Sequence, residues 1–169
     1  MTSIYIRQGF IFTMSGDGLG IIEDGALAID GQRIIAVGKT SELDSNYGNS
    51  DTVIDAKMKS VLPGFIDAHT HTGSAITRGV SQDVPEIEWM FKTRAPFDKY
   101  TKPHHSMAGA ALAVLEAVKS GVTTLGEIGS NMGYVAEHVF VPSGIRANVA
   151  STVNEIGPES RPDPNKPYI

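Results

Sequence analysis

One run constrains this chain more than any other: Val61-Leu62-Pro63-Gly64-Phe65-Ile66-Asp67-Ala68-His69-Thr70-His71. Alternate residues of a strand project from the same face. A strand over Phe65 to His71 therefore carries both imidazoles together at its C-terminal end. Two neutral imidazoles held a few ångströms apart make half of a metal site. In barrels of alternating strands and helices, the chemistry sits at that end of the strands.

The pattern on either side of this run differs. Ile4 to Met14 reads as a strand, broken by Ser15-Gly16-Asp17-Gly18. Ala26 to Asp30 is a second strand, Asp30-Gly31 a hairpin turn, and Arg33 to Val37 the returning strand. Asp44 to Asp51 is polar and reads as a loop, and Thr52 to Ile54 as a short strand. Residues 1–61 thus predict a small antiparallel β unit. After Leu62 strands and helices alternate. Phe65-Ile66 reads as a short buried strand. Residues 73–94 read as a loop with a short helix. Pro103 to Ser120 predicts a helix with Met107, Ala111, Val114, Leu115 and Val118 on its packed face. Thr101 suits its N-cap and Gly121 its end. Val122 to Leu125, Tyr134 to Phe140 and Ile145 to Val153 predict strand, helix and strand. This alternation implies a parallel sheet with right-handed crossovers. Gly157 to Ile169, with four prolines, reads as a loop.

Composition narrows the function classes. Charged residues make up 20% of the chain, the formal net charge is −5, and no Lys/Arg cluster stands out. Nucleic-acid binding is not expected on that footing. There is no cysteine, which excludes disulfides and thiolate zinc sites. The first twenty residues lack a basic start followed by an apolar core, so a leader peptide is not expected. The longest apolar stretch, Ala108 to Val118, contains Glu116 and is too short to span a bilayer. A soluble cytoplasmic protein with no membrane partner is the expectation.

The segment Pro63 to His71 resembles the first barrel strand of the amidohydrolase superfamily. Ser120-Gly121-Val122-Thr123-Thr124 resembles the start of that family's second barrel strand, and Gly144-Ile145-Arg146-Ala147 the opening of the third. Thr77-Arg78-Gly79 and Glu88-Trp89-Met90 bring it nearest to the branch of heterocycle deaminases and s-triazine chlorohydrolases. The resemblance implies an α/β fold: residues 62–169 as the first three strand–helix units of a (β/α)8 TIM-type barrel, preceded over residues 1–61 by part of a small antiparallel β-sandwich. It implies a divalent metal, zinc in most relatives, with His69 and His71 as two of its ligands. The remaining ligands, a later His and a late Asp, and the acid/base residues would lie on later strands. A complete barrel of this type needs about 250 residues; the chain has 169.

The activity implied is hydrolysis of a C–N or C–Cl bond of a nitrogen heterocycle, as in an aminohydrolase. Such a ring needs a nucleophile stronger than water, and a bound zinc ion acidifies its water to a pKa of about 7. Two alternatives stand beside this: a cyclic amide hydrolase using the same chemistry, or a non-catalytic fragment that needs a second chain. The implied partners are a heterocyclic small molecule and either a second polypeptide or the C-terminal part of the barrel, with a homo-oligomer for the complete enzyme. Three open barrel strands would expose edges and apolar faces, so the chain alone is not expected to be a stable monomer.

Candidate substrate contacts are Trp89, Arg78 and Glu88. Trp89, the single tryptophan, suits either core packing or an aromatic wall over a flat ring. In adenosine-type relatives a carboxylate two residues before the tryptophan is expected to meet the ribose; here that position is Ile87. Asp67 reads as a structural partner of the histidine strand. Glu127 and Asn131 follow the second strand, and Glu127 suits either a supporting role at the site or a solvated or capping carboxylate. His104 and His105 read as a solvated first helical turn and His138 as structural.

Overall fold

The computed structural model describes residues 3–152. The chain divides into two compact units between Pro63 and Gly64. The prolyl segment from Gly157 to Ile169 lies outside the described residues.

The first unit is one five-stranded sheet built from β1 (Ser3–Phe12), β2 (Ile21–Asp30), β3 (Arg33–Lys39), β4 (Thr52–Asp55) and β5 (Ser60–Val61). The strands are rich in β-branched and aromatic residues, which suit a pleated, half-buried surface. β1–β2 and β2–β3 are antiparallel, and β2 returns into β3 through Gly31-Gln32 as the Asp30-Gly31 pair predicts. The antiparallel expectation fails at the other edge. β4 and β5 run parallel to β1. The cause is a helix, α1 (Thr40–Tyr47), in part of the region read as a polar loop. It carries the chain back along the sheet, so β4 enters in the direction of β1. Glu42 secures the helix start by accepting the Lys39 N–H at 3.2 Å. Leu43 and Tyr47, one turn apart, pack on buried Tyr5, Ala26 and Ala28.

The second unit holds a three-stranded parallel sheet in chain order: β6 (Phe65–Thr70), β7 (Val122–Gly129) and β8 (Arg146–Ser151). After β6 come a 3-10 turn (Thr72–Thr77), a loop over residues 78–85 and a continuous helical stretch longer than the short helix expected there. That stretch comprises α2 (Glu86–Trp89), a wide-turn segment (Met90–Arg94) and α3 (Ala95–Tyr100). Glu86 and Glu88 favour the start of α2 by facing the positive end of its dipole. Next is α4 (Pro103–Lys119). Between β7 and β8 lie α5 (Met132–Val135), a second wide-turn segment (Ala136–Phe140) and α6 (Val141–Ser143). The core is Ala110, Val114, Leu125, Met132, Val135, Val139 and Phe140.

Three local expectations change here. The cap of α4 is Lys102 rather than Thr101. A lysine side chain has no acceptor, and the ring of His105 takes over, its Nδ1 accepting the Lys102 N–H at 3.1 Å. The packed face of α4 is made of small residues, with Ser106, Gly109, Ala110 and Val114 buried. Of the expected stripe, Val114 is buried and Met107 packs on the core, while Leu115 and Val118 remain 57% and 54% exposed. Close approach explains the exchange: a Cβ on Gly109 would overlap the carbonyl oxygen of Gly73, so the helix lies almost on the 3-10 turn. Finally, Phe65 and Ile66 are exposed. β6 is an edge strand whose strand partner among the described residues is β7, whereas a parallel strand is buried only when both faces and both edges are covered.

Candidate metal centre

The alternation of β6 puts both imidazoles on one side of its C-terminal end. Their Nε2 atoms stand 3.2 Å apart and the rings meet edge to face. Neighbouring ligand nitrogens in a tetrahedral shell with Zn–N bonds of about 2.0–2.1 Å are about 3.3 Å apart. The pair has that spacing. Nδ1 of His71 lies 2.7 Å from the carbonyl oxygen of Ile128. A carbonyl only accepts, so Nδ1 donates and carries the proton. Nε2 of a neutral His71 is then an unprotonated lone pair aimed at its neighbour, the form a metal ion requires. Asp67 Oδ1 accepts the backbone N–H of His69 at 3.2 Å, which fixes the strand one turn of the pleat earlier.

β7 supplies the support. Its ladder with β6 is irregular between Asp67 and Thr70 and ends at Thr70–Glu127. A Cβ on Gly126 would overlap the carbonyl oxygen of Ala68, so glycine permits the close approach that sets this register. Gly126→Ala is expected to push the strands apart there. The expected cost is about 1–3 kcal/mol of stability, as for other overpacked sites, measured by urea unfolding.

Glu127 is 2% exposed. Both its oxygens accept the Thr72 N–H, at 3.1 and 2.9 Å. Burial raises the pKa of this carboxyl; the hydrogen bonds from Thr72 and the nearby His71 oppose the rise, and Asp67 adds to it. Of the roles open for Glu127, the structure rules out the solvated one; its bonds to the Thr72 N–H, at the start of the 3-10 turn, are those of a capping carboxylate. A signal was present in the sequence: Glu127 lies two residues past Leu125, and both are buried on one face of β7. Asn131, in a left-handed backbone conformation, donates to buried Ser106 at 3.3 Å. A cavity of about 10 Å3 lies against His71, Glu127, Ser106, Arg94 and Phe97. It has room for about one water molecule.

The other candidates are placed as follows. Arg78 makes a two-pronged ion pair with Glu116 of α4, both contacts at 2.8 Å. This raises the Arg78 pKa and lowers that of Glu116. Glu88 pairs with Lys92 one turn on. Trp89 is half-buried at the end of α2; Arg94 and Phe97, further along the same helical stretch, reach the cavity beside His71. His138 donates to the Tyr134 carbonyl at 3.0 Å and stacks on its ring, as a structural residue does. Among the described residues no cluster of three or more His, Asp and Glu could hold a metal ion. His69 and His71 are thus two paired ring nitrogens with no third His, Asp or Glu beside them among the described residues.

The amidohydrolase family pattern matches residues 60–161, more than half of the sequence. The chain belongs to the amidohydrolase family. A 5'-deoxyadenosine deaminase of Methanosarcina acetivorans is 32% identical over 95% of this chain and 36% of its own length. A 5-methylthioadenosine/S-adenosylhomocysteine deaminase of Thermococcus sibiricus is 35% identical over 94% and 35%. Among solved structures, an adenosine deaminase from Xanthomonas campestris with bound zinc shares the fold, with a TM-score of 0.75 at 24% identity over 86% of this chain and 33% of that one. Atrazine chlorohydrolase from Arthrobacter aurescens TC1, in complex with zinc, has a TM-score of 0.71 at 26% identity over 93% and 37%. The chain spans about a third of the length of the curated relatives it matches. In this amidohydrolase chain no helix among the described residues is long and apolar enough to cross a membrane.

Proposed function

We propose that this chain carries the metal-holding first strand of a metal-dependent aminohydrolase acting on a nitrogen heterocycle. The 3.2 Å separation of the two Nε2 atoms, with His71 fixed by its bond to Ile128, carries this reading. A divalent ion, zinc by the precedent of the two structures above, would supply an activated water for attack on an electron-poor ring carbon. His69 and His71 would hold that ion, with the ring of His71 held by Ile128 and the N–H of the next residue, Thr72, by Glu127. Trp89 would offer an aromatic face for the ring, and Arg78 and Glu88, each held in an ion pair, would be further substrate contacts. The exposed Phe65 and Ile66 of edge strand β6 are consistent with further strand–helix units closing the barrel. Those units, in a longer chain or a second polypeptide, would bring the remaining ligands and the acid/base residues. Homo-oligomerisation is proposed for the completed enzyme.

Deamination of an adenosine derivative is the first expectation, since the two curated relatives named above are deaminases of that kind. Ile87 favours a second reading. An apolar residue stands where a ribose-binding carboxylate is expected, which suits a ring without a sugar, such as a chloro- or amino-triazine. The test uses the protein together with any polypeptide that copurifies with it, loaded with zinc. Ammonia release is followed on adenosine, 5'-deoxyadenosine and 5'-methylthioadenosine, and ammonia and chloride release on substituted triazines. Turnover of the nucleosides supports the first reading and turnover of triazines alone the second. No turnover, with zinc content unaffected by loss of both histidines, would sink both.

A further inference from the structure

We propose that Glu127 is a positioning residue: its carboxylate replaces the strand pairing that β6 gives up at Thr70, and so fixes the ring of His71. This rests on the metal-dependent reading above. Backbone pairing between β6 and β7 stops at Thr70–Glu127, and His71 comes after it. The chain must leave the sheet there, because the 3-10 turn begins at Thr72 and passes beneath α4. A residue just past the last ladder bond ordinarily frays. Here two successive residues of β7 prevent it. The Glu127 side chain takes the Thr72 N–H with both oxygens, and the Ile128 carbonyl takes the His71 ring proton. One contact fixes the backbone on the far side of His71 and the other fixes the ring. The second needs the first, since the ring reaches Ile128 only while residues 71–72 lie against β7. Glu127 is buried and touches His71's neighbour rather than occupying the ligand position.

The test compares Glu127→Ala and Glu127→Gln with the parent protein by two readouts. The first is the tautomer of His71 in the metal-free protein, from its imidazole 15N shifts. The second is Co(II) affinity from the visible absorption of the bound ion. In the parent, His71 is expected as the Nδ1–H tautomer. Glu127→Ala is expected to shift it toward the Nε2–H form and to weaken Co(II) binding about 10- to 100-fold, the usual effect of losing a group that orients a ligand histidine. Glu127→Gln keeps an oxygen for the Thr72 N–H, and is expected to retain the Nδ1–H tautomer and to bind within about threefold of the parent. A folded Glu127→Ala protein with parental tautomer and affinity overturns the proposal. If that variant fails to fold, Glu127→Gln decides: an unprotected Thr72 amide with the Nδ1–H tautomer kept overturns the proposal, and a protected Thr72 amide with that tautomer, or loss of both together, supports it. Absence of Co(II) binding in the parent together with any polypeptide that copurifies with it defeats the metal reading separately, while the tautomer still decides the role of Glu127.

Discussion

Replacing His71 by alanine is expected to strip the metal from the protein while leaving the fold in place. His71 is exposed and sits past the end of β6, so its ring contributes little to the core. Its loss removes one of the two aligned Nε2 atoms and leaves His69 as the strand's sole imidazole. Losing an orienting group alone weakens a metal site about 10- to 100-fold, and losing a ligand should exceed that. Zinc content after dialysis is expected to fall to background, with the thermal midpoint of the metal-free protein unchanged. His69→Ala should behave alike. His105→Ala and His138→Ala should keep full zinc, since those rings are engaged with Lys102 and Tyr134 elsewhere in the unit. Parental zinc in His71→Ala would defeat the metal assignment outright.

What could be read from the sequence follows from the range of each interaction. The His69/His71 pair was legible because side-chain alternation is a property of one strand. The parallel three-strand order was legible because strands alternate with helices. The partners of the pair were legible only in part: Glu127 stood as a candidate support, whereas its contact with Thr72 and that of Ile128 with His71 were not. Ile128 and Glu127 lie 57 and 55 residues from His71 and Thr72, and only the β6–β7 register brings them together. No local pattern encodes that register. Direction failed for a related reason: β4 runs parallel to β1 because α1 intervenes, and α1 announces itself only through Leu43 and Tyr47 in an otherwise polar stretch. The error at α4 was one of kind. Periodicity selects the largest apolar residues as the packed face, yet the face pressed on the 3-10 turn is the one with the smallest side chains.

That face supplies a stability effect whose sign runs against helix propensity. Gly109 lies inside α4, and glycine in a helix interior is ordinarily a weakness: exchange for alanine stabilises by about 0.5–1 kcal/mol. Here the sign should reverse. A methyl group at 109 would overlap the Gly73 carbonyl oxygen and crowd its carbonyl carbon and Cα, which are backbone and cannot rotate away. The helix must lift off the turn or the turn must move. Lifting α4 would disturb Ala110 and Val114 and their packing against Leu125 and Val139. Forced overpacking of this kind costs about 1–3 kcal/mol, which exceeds the propensity gain. Gly109→Ala is therefore expected to unfold at lower urea concentration than the parent, with an unchanged slope. Moving the turn instead would displace Gly73, two residues past His71, and the Thr72 N–H would leave Glu127. A variant that keeps its stability should then show weakened Co(II) binding. Gly109→Ala with parental stability and parental Co(II) affinity would mean that the backbone contact between α4 and the turn does not hold the histidine strand in place.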